Sequence, residues 1–248
     1  MVIQDSGVSA GISALVEKQM RNWGLANEQQ KRGAKSIGTT EDLKFYLAIS
    51  RECGCDGEQI ADAIAKRTGF QKFDQEILNY MVKREDVRRK LYETIDDRTM
   101  TWIEKIVSSL VPGPGVDQME YFNRLSHALL AICHNTHAII IGRGANFILP
   151  RERGLAVRMV APQNYRLERY AKRYGIDLKT AMREMERIDY GRGQFIETHF
   201  GRFAFDPRRY DLVINVSQFT EEQIVDQVLL ALRAKGGKGL KLPVKVDR

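Results

Sequence analysis

The hydrophobic pattern from residue 44 onward alternates short apolar runs with stretches of helical period. FQKFD predicts one short strand, and longer apolar runs of strand length occupy 45–50, 138–142, 156–160 and 210–216. Between them apolar residues recur every three or four positions, and the last helix is expected to be capped at Thr220. Because several of these strands are continuous apolar runs rather than alternating ones, they predict an α/β fold with a parallel sheet and helices on both faces.

Residues 1–43 have a different character. Six apolar residues between positions 8 and 25 recur at helical spacing, and the stretch that follows has no hydrophobic period. We therefore predict a helical extension and linker over 1–43, ahead of one α/β domain over 44–235. The apolar face of this helix is expected to pack on the body of the protein or on a second subunit, so a homodimer through the N-terminal helix is one alternative.

The net charge of +7 is concentrated at the end of the chain. Residues 233–248 carry six basic residues against the single acid Asp247, so the remainder is close to neutral and does not indicate a nucleic-acid-binding surface. We interpret 236–248 as a basic, flexible tail, with contact to nucleic acid or an acidic membrane as the less favoured alternative. The sequence has no apolar run of membrane-spanning length and no secretory signal, which predicts a cytoplasmic protein with reduced thiols.

Ligands of a parallel α/β sheet bind in loops beyond the carboxyl ends of the strands, which here points to 50–58, 142–147 and 189–209. The first of these is a glycine-bearing turn between a strand and a helix, which aims backbone N–H groups at an anion such as phosphate. Cys53 and Cys55 in this turn have a metal-ligand alternative, as do Cys133, His134 and His137. Small residues in a tight turn and a helix end, respectively, are the interpretations we favour.

Arginines mark the other two loops. Arg143 follows a buried strand and is flanked by glycines, a place that suits a clamp on a phosphate or carboxylate, whereas the structural alternative is an ion pair at the strand end. Six arginines fall between positions 183 and 209. They predict either a solvated helix with surface ion pairs or a lid that closes over transferring phosphates.

Four segments together resemble the cytidylate-kinase-like family of P-loop nucleoside monophosphate kinases. They are SRECGCDGEQIADAIAKRTGFQKFDQEIL, IIGRGANFIL, DYGRGQF and DPRRYDLVINVSQFTEEQIVDQVL, in the family's order across about 44–235. The resemblance implies a P-loop kinase-like fold and transfer of the ATP γ-phosphoryl group to a nucleoside monophosphate or a related small acceptor. It further implies ATP and Mg²⁺ as cofactors and nucleotides as partners.

The resemblance also implies a role for each loop. The strand–turn–helix would hold the donor ATP, with candidate residues Ser50, Arg51, Gly54, Asp56 and Gly57. The later Gly-Arg pair and the Asp-x-x-Arg pair give the candidate catalytic residues Arg143, Asp189 and Arg192. The candidate acceptor-binding residues are Asp74, Arg143 and Arg187.

The chain departs at four positions from the pattern of true cytidylate kinases, to which it is more distantly similar. A P-loop reads GxxxxGK[ST], but Glu52 stands in the first glycine position, Glu58 in the lysine position and Gln59 in the Ser/Thr position. Gly144 replaces the aspartate of the Gly-Arg-Asp motif of true cytidylate kinases. A working kinase then needs another cation on the phosphates and holds Mg²⁺ indirectly, with no metal ligand on the protein; the candidate cations are Arg51, Arg187 and Arg192. The alternative is a catalytically inactive nucleotide-binding regulatory or interaction module on the same fold.

Overall fold

The computed structural model describes residues 6–30, 39–110, 116–201, 205–237 and 240. Its chain divides into two compact units. We call Met1–Lys44 with Phe73–His137 the helical unit, and Phe45–Lys72 with Ala138–Arg248 the sheet unit.

Ten α-helices lie in the described residues, and their bounds follow in chain order. They are α1 (Ser6–Gln30), α2 (Gly57–Thr68), α3 (Gln75–Lys83), α4 (Glu85–Glu93), α5 (Asp97–Leu110), α6 (Val116–Asn135), α7 (Ala145–Ile148), α8 (Gln163–Tyr174), α9 (Leu178–Phe200) and α10 (Glu221–Gly236). Short 3₁₀ turns occur at Thr40–Asp42, Arg151–Arg153, Pro207–Arg209 and Val216–Gln218.

Five strands form one sheet in the order β2-β3-β1-β4-β5. They are β1 (Tyr46–Arg51), β2 (Gln71–Phe73), β3 (Ala138–Ile141), β4 (Gly154–Val160) and β5 (Leu212–Asn215). The pairs β1–β3, β1–β4 and β4–β5, for which the register is described, are all parallel. All four residues of β3 and the first four of β1 are buried, which explains why these strands read as unbroken apolar runs. The predicted α/β fold with a parallel sheet flanked by helices is confirmed.

Within the sheet unit, α2 and α10 pack their apolar faces on the sheet. Ile60 and Ile64 of α2 join Val228 and Leu232 of α10 in one buried cluster with strand residues. The helix α10 begins as expected, because the Thr220 hydroxyl and the Gln223 amide form a reciprocal capping box. This packing holds α2 at the carboxyl end of β1, where the first of the three predicted loops lies.

The N-terminal helix is longer than predicted and packs within the helical unit. It runs from Ser6 to Gln30 instead of over 8–25, and it buries Val16, Met20 and Trp23. It contacts α3 and α4, and the hydroxyl of Tyr80 donates to Ser13 Oγ over 2.9 Å. The predicted linker falls mostly outside the described residues, and the homodimer through this helix stays a prediction.

The prediction of a loop over 189–209 is wrong for residues 189–200, because α9 continues to Phe200. The chain stays helical through Gly191 and Gly193, where a Cβ would meet nothing within 4 Å, so both glycines lie on an open helix face. A helical glycine costs roughly 1 kcal/mol relative to alanine, which the packing of α9 outweighs. The helix ends instead at Gly201, whose φ is +77°.

Most of the predicted basic tail, together with Arg202, lies outside the described residues. No helix in the described part of the chain combines the length and apolarity that crossing a membrane requires.

Candidate functional site

Two glycine-bearing turns lie side by side at the carboxyl ends of β1 and β3. Ile49 is level with Ile141 in the parallel register, and the Gly142 N–H donates to the Ile49 carbonyl over 2.8 Å. We call Glu52–Asp56 the first turn and Gly142–Gly144 the second turn. From β1 the sheet extends to β3 on one side and to β4 on the other, and ligands of open α/β sheets bind at such a switch point.

The first turn has the backbone shape of an anion-binding loop. Gly54 has a φ of +86°, and a Cβ at this position would lie 2.6 Å from the Arg166 carbonyl oxygen, so only glycine fits. Asp56 follows with a φ of 50° as the N-cap of α2, yet its carboxylate makes no capping hydrogen bond. The first N–H groups of a helix have no partners within the helix, so the start of α2 is left for another acceptor.

The Asp189 carboxylate already occupies part of this turn. The Cys53 N–H donates to Asp189 Oδ1 over 2.8 Å. Arg166 Nη1 donates to Asp189 Oδ2 and to the Cys53 carbonyl, both over 2.9 Å, and Arg192 Nη1 lies 3.7 Å from Asp189 Oδ1. The turn therefore binds an anion in this structure, and that anion belongs to α9. A phosphate oxygen reaches the Cys53 N–H only after the Asp189 carboxylate has moved.

Arginines neutralise each of the other acids around the first turn. Glu52 lies 3.4 Å from Arg166 and 3.7 Å from Arg158. Asp56 pairs with Arg169 and, over 3.1 Å, with Arg173. Three of these arginines recur at helical spacing on α8, a pattern that the sequence alone does not distinguish from a solvated charged helix face.

Arg51 is a buried cation that lies close to the second turn and to the start of α2. Its side chain is only 10% exposed and forms a 2.7 Å ion pair with Glu58. Burial lowers the pKa of Arg51, and the nearby charge of Arg192 lowers that pKa further. Arg192 also donates to the Arg51 carbonyl over 3.4 Å, and a Cβ on Gly142 would lie 2.8 Å from Arg51 Nη1. Two of the candidate cations, Arg51 and Arg192, are thus brought together between the turns.

Three further predicted site residues are Ser50, Arg187 and Asp74. Ser50 accepts a 3.4 Å hydrogen bond from Arg158 beside the first turn. Arg187 is exposed on α9, about 200° around the helix from Asp189, so it does not share that face. Asp74 belongs to the helical unit, where its carboxylate caps α3 by accepting from the Ile77 N–H over 2.9 Å. Roles for Arg187 and Asp74 in acceptor binding stay predictions.

Arg143 lies in the second turn with its guanidinium over the ring of Phe195 on α9, 5.1 Å from the ring centroid. Burial lowers the pKa of the adjacent His199, and the charge of Arg143 lowers that pKa further. His199 is therefore held neutral near neutral pH, and the positive charge at the second turn is that of Arg143.

The cysteines and acids of the site do not form a metal centre. Among the described residues, no group of three or more His, Cys, Asp or Glu side chains is arranged to hold a metal ion. Burial raises the pKa of Cys53 and raises that of Cys55 to about 12, so both thiols stay protonated at neutral pH and are poor metal ligands. Since Glu52, Asp56 and Glu58 face arginines, these residues do not fit a Mg²⁺ site on the protein.

A parallel sheet whose central strand is followed by a glycine-bearing turn and a helix is the arrangement in which α/β proteins commonly bind phosphate groups. Residues 46–218 match the cytidylate kinase-like family. The match spans most of the chain, and the protein belongs to this family. Its two glycine turns lie within the matched segment.

Solved structures resemble this chain at low sequence identity. An uncharacterized protein from Eubacterium ventriosum is 19% identical with a TM-score of 0.54, over 77% of this chain and 99% of that one. Shikimate kinase from Bacteroides thetaiotaomicron is 12% identical with a TM-score of 0.42, over 76% and 98%. A gluconokinase from Sinorhizobium meliloti is 15% identical with a TM-score of 0.38, over 77% and 93%. No curated protein matches the chain.

We expect Arg166→Met to destabilise the protein. The substitution leaves the Cys53 and Ala161 carbonyls and the Glu52 and Asp189 carboxylates without the guanidinium that now serves them. Unsatisfied, partly buried acceptors cost roughly 1–3 kcal/mol, so the free energy of unfolding in urea should fall by about that amount. Arg183→Met, at an exposed position of α9, is the matched control and should change it by less than about 0.5 kcal/mol. Equal effects of the two substitutions would show that the hydrogen bonds and ion pairs of Arg166 do not stabilise the first turn.

Proposed function

We propose that the protein is a nucleotide-binding phosphotransferase that moves the γ-phosphoryl group of ATP to a nucleoside monophosphate or a related small acceptor. The observation that carries the proposal is the carboxylate held by the Cys53 N–H, 2.8 Å away, in the turn between β1 and α2. It supports an anion site where a kinase of this family would hold donor phosphates. Arg143, in the adjacent second turn, supports an acceptor site within reach of the first.

The proposed donor site consists mainly of backbone groups. Gly54 and Gly57 allow close approach, and the N–H groups at the start of α2 bond to the phosphates beside Ser50 and Asp56. In place of the absent lysine, Arg51 and Arg192 neutralise the charge that spreads over the transferring phosphoryl group. A Mg²⁺ ion bound to the nucleotide would supply further neutralisation and would be held indirectly, without a ligand from the protein.

The proposed acceptor site is centred on Arg143. A guanidinium can bond to two oxygens of one phosphate through parallel N–H groups, which orients the acceptor as well as binding it. Asp189 and Arg192 link the acceptor site with the donor turn. When a phosphate binds at the donor turn, it displaces the Asp189 carboxylate from the Cys53 N–H. Arg166 then keeps a partner in Glu52, 3.4 Å away.

A second function, nucleotide binding without turnover, is favoured by one observation. The Arg51 guanidinium already forms an ion pair with Glu58, with 2.7 Å between Arg51 Nη2 and Glu58 Oε1. Positions 51–65 include no lysine to replace it. A chain that binds phosphates through backbone groups alone would act as a regulatory or interaction module on the same fold.

An assay of ADP release from ATP·Mg with a panel of nucleoside monophosphates tests the first function against the second. Phosphotransfer predicts ADP release that depends on one acceptor, and the binding module predicts a raised thermal midpoint with ATP but no ADP release.

In a titration of the preferred monophosphate, Arg143→Ala should weaken binding by about 1.5–3 kcal/mol, the scale of a charged hydrogen bond. Unchanged affinity would remove Arg143 from the acceptor site.

We predict that Glu58→Gln tightens ATP binding and that Arg51→Ala loosens it. The first change removes a negative charge beside the donor phosphates and releases the Arg51 guanidinium, and the second leaves Glu58 without its counter-charge. Coulomb interaction near a surface sets the scale at about 1–4 kcal/mol for charges about 4 Å apart. The measurement is calorimetric titration of ATP·Mg into each variant.

Glu222→Gln is the matched control for Glu58→Gln. Glu222 is also the second residue of a helix in the sheet unit, and it is exposed. It should leave the affinity for ATP unchanged. If Glu58→Gln and Arg51→Ala behave like this control, the first turn is not the donor site.

A further inference from the structure

The second turn has a backbone conformation that needs support from its surroundings. Its residues Gly142, Arg143 and Gly144 have φ angles of +76°, +55° and +65°, so three successive residues are left-handed. Glycine adopts this conformation readily, but for a residue with a side chain it costs roughly 1–2 kcal/mol. Such strain persists where the neighbouring structure holds the residue in place, and it concentrates at functional sites.

The sheet holds one side of the second turn. The Gly142 N–H donates to the Ile49 carbonyl over 2.8 Å, and the Phe147 N–H donates to the Gly144 carbonyl over 2.8 Å. These bonds fix the backbone of the turn at the end of β3. They do not determine where the long side chain of Arg143 points.

The last turns of α9 cover the other side. A Cβ on Gly144 would lie 2.1 Å from Phe200 Cε2, so the Phe200 ring rests directly on the Gly144 backbone. The Phe200 ring also packs against Phe147, with 4.8 Å between ring centroids. This contact explains why glycine stands at position 144, where the Gly-Arg-Asp motif of true cytidylate kinases has an aspartate, because any side chain there would collide with Phe200.

Phe195, just over one helical turn before Phe200, supports the Arg143 side chain itself. The Arg143 guanidinium carbon is 5.1 Å from the Phe195 ring centroid, within the range of a cation–π contact. His199 packs against the same ring at 4.6 Å between centroids. Stacking on a ring uses the face of the guanidinium rather than its N–H groups, which lie in the plane of the group. A contact of this kind sets the direction of the N–H groups without consuming them.

We propose that Phe195 is a positioning residue that orients the Arg143 guanidinium for the phosphate of the acceptor. The proposal rests on the acceptor site proposed above and adds the residue that sets its geometry. Through Phe195 and Phe200, α9 shapes the acceptor turn with its last turns, while its middle contacts the donor turn through Asp189. Phe195 therefore acts through Arg143 and touches no substrate.

The first test needs no ligand. In the parent protein, the Arg143 Nε–Hε signal, assigned by its loss in Arg143→Lys, should have the heteronuclear NOE of an ordered side chain. Phe195→Leu should lower this NOE, whereas Phe195→Tyr, which keeps the ring, should preserve it. The matched control is Phe205→Leu, since Phe205 lies 4.9 Å from the Arg158 guanidinium in the same kind of contact and is 42% exposed. It should leave Arg143 unchanged. An Arg143 signal equally ordered in Phe195→Leu overturns the proposal.

The second test uses cytidine monophosphate as the probe in calorimetric titrations. Phe195→Leu should bind it about three- to tenfold more weakly, as expected for loss of a cation–π contact, whereas Phe195→Tyr should stay within about twofold of the parent. Phe205→Leu should match the parent. Parent-like binding by Phe195→Leu would refute the positioning role. If the parent itself binds no monophosphate, the proposed acceptor site fails, and the ligand-free signal of Arg143 alone decides whether Phe195 orients it.

Discussion

The site depends on one hydrogen bond, from the Cys53 N–H to the Asp189 carboxylate, over 2.8 Å. It attaches the turn after the central strand to the middle of α9, and Arg166 reinforces it by bonding to both partners. A charge-assisted bond of this kind is stronger than a neutral one and defines a precise geometry. Since α9 also packs on the second turn through Phe200, the placement of Asp189 influences the shape of both turns.

Charge compensation follows from this arrangement. The first turn and the start of α2 carry Glu52, Asp56 and Glu58, which would repel a triphosphate if they stood alone. Each faces an arginine, so the turn is close to neutral and is surrounded by guanidinium groups. An incoming phosphate would then exchange places with a carboxylate instead of meeting an empty cationic pocket. This proposed chemistry differs from that of a P-loop lysine, and it would account for a chain of this family that binds phosphate without that lysine.

The sequence predicts much of the fold, because a strand buried on both faces has a local mark in the sequence, a continuous run of apolar residues. The uniformly apolar runs at 45–50 and 138–142 coincide with β1 and β3, and the two glycine turns follow directly. The pairing of Asp189 with Cys53, 136 residues away, leaves no such mark, since it depends on how α9 packs on the sheet unit. The supporting roles of Phe195 and Phe200 were missed for the same reason. The loop predicted over 189–209 began too early, since α9 continues to Phe200 and ends at Gly201.

Selective ¹⁵N labelling of cysteine offers the most direct test of the central claim, that the first turn is the phosphate site. The chain has three cysteines, of which Cys53 and Cys55 lie in the first turn and Cys133 lies buried in α6. The labelled protein therefore gives three amide signals, two that report on the site and one that serves as an internal reference. On titration with ATP·Mg, the account predicts that the Cys53 and Cys55 signals move as the Asp189 carboxylate is displaced, while the Cys133 signal stays in place. If ATP binds and the Cys53 signal does not move, the phosphates lie elsewhere and the account is contradicted.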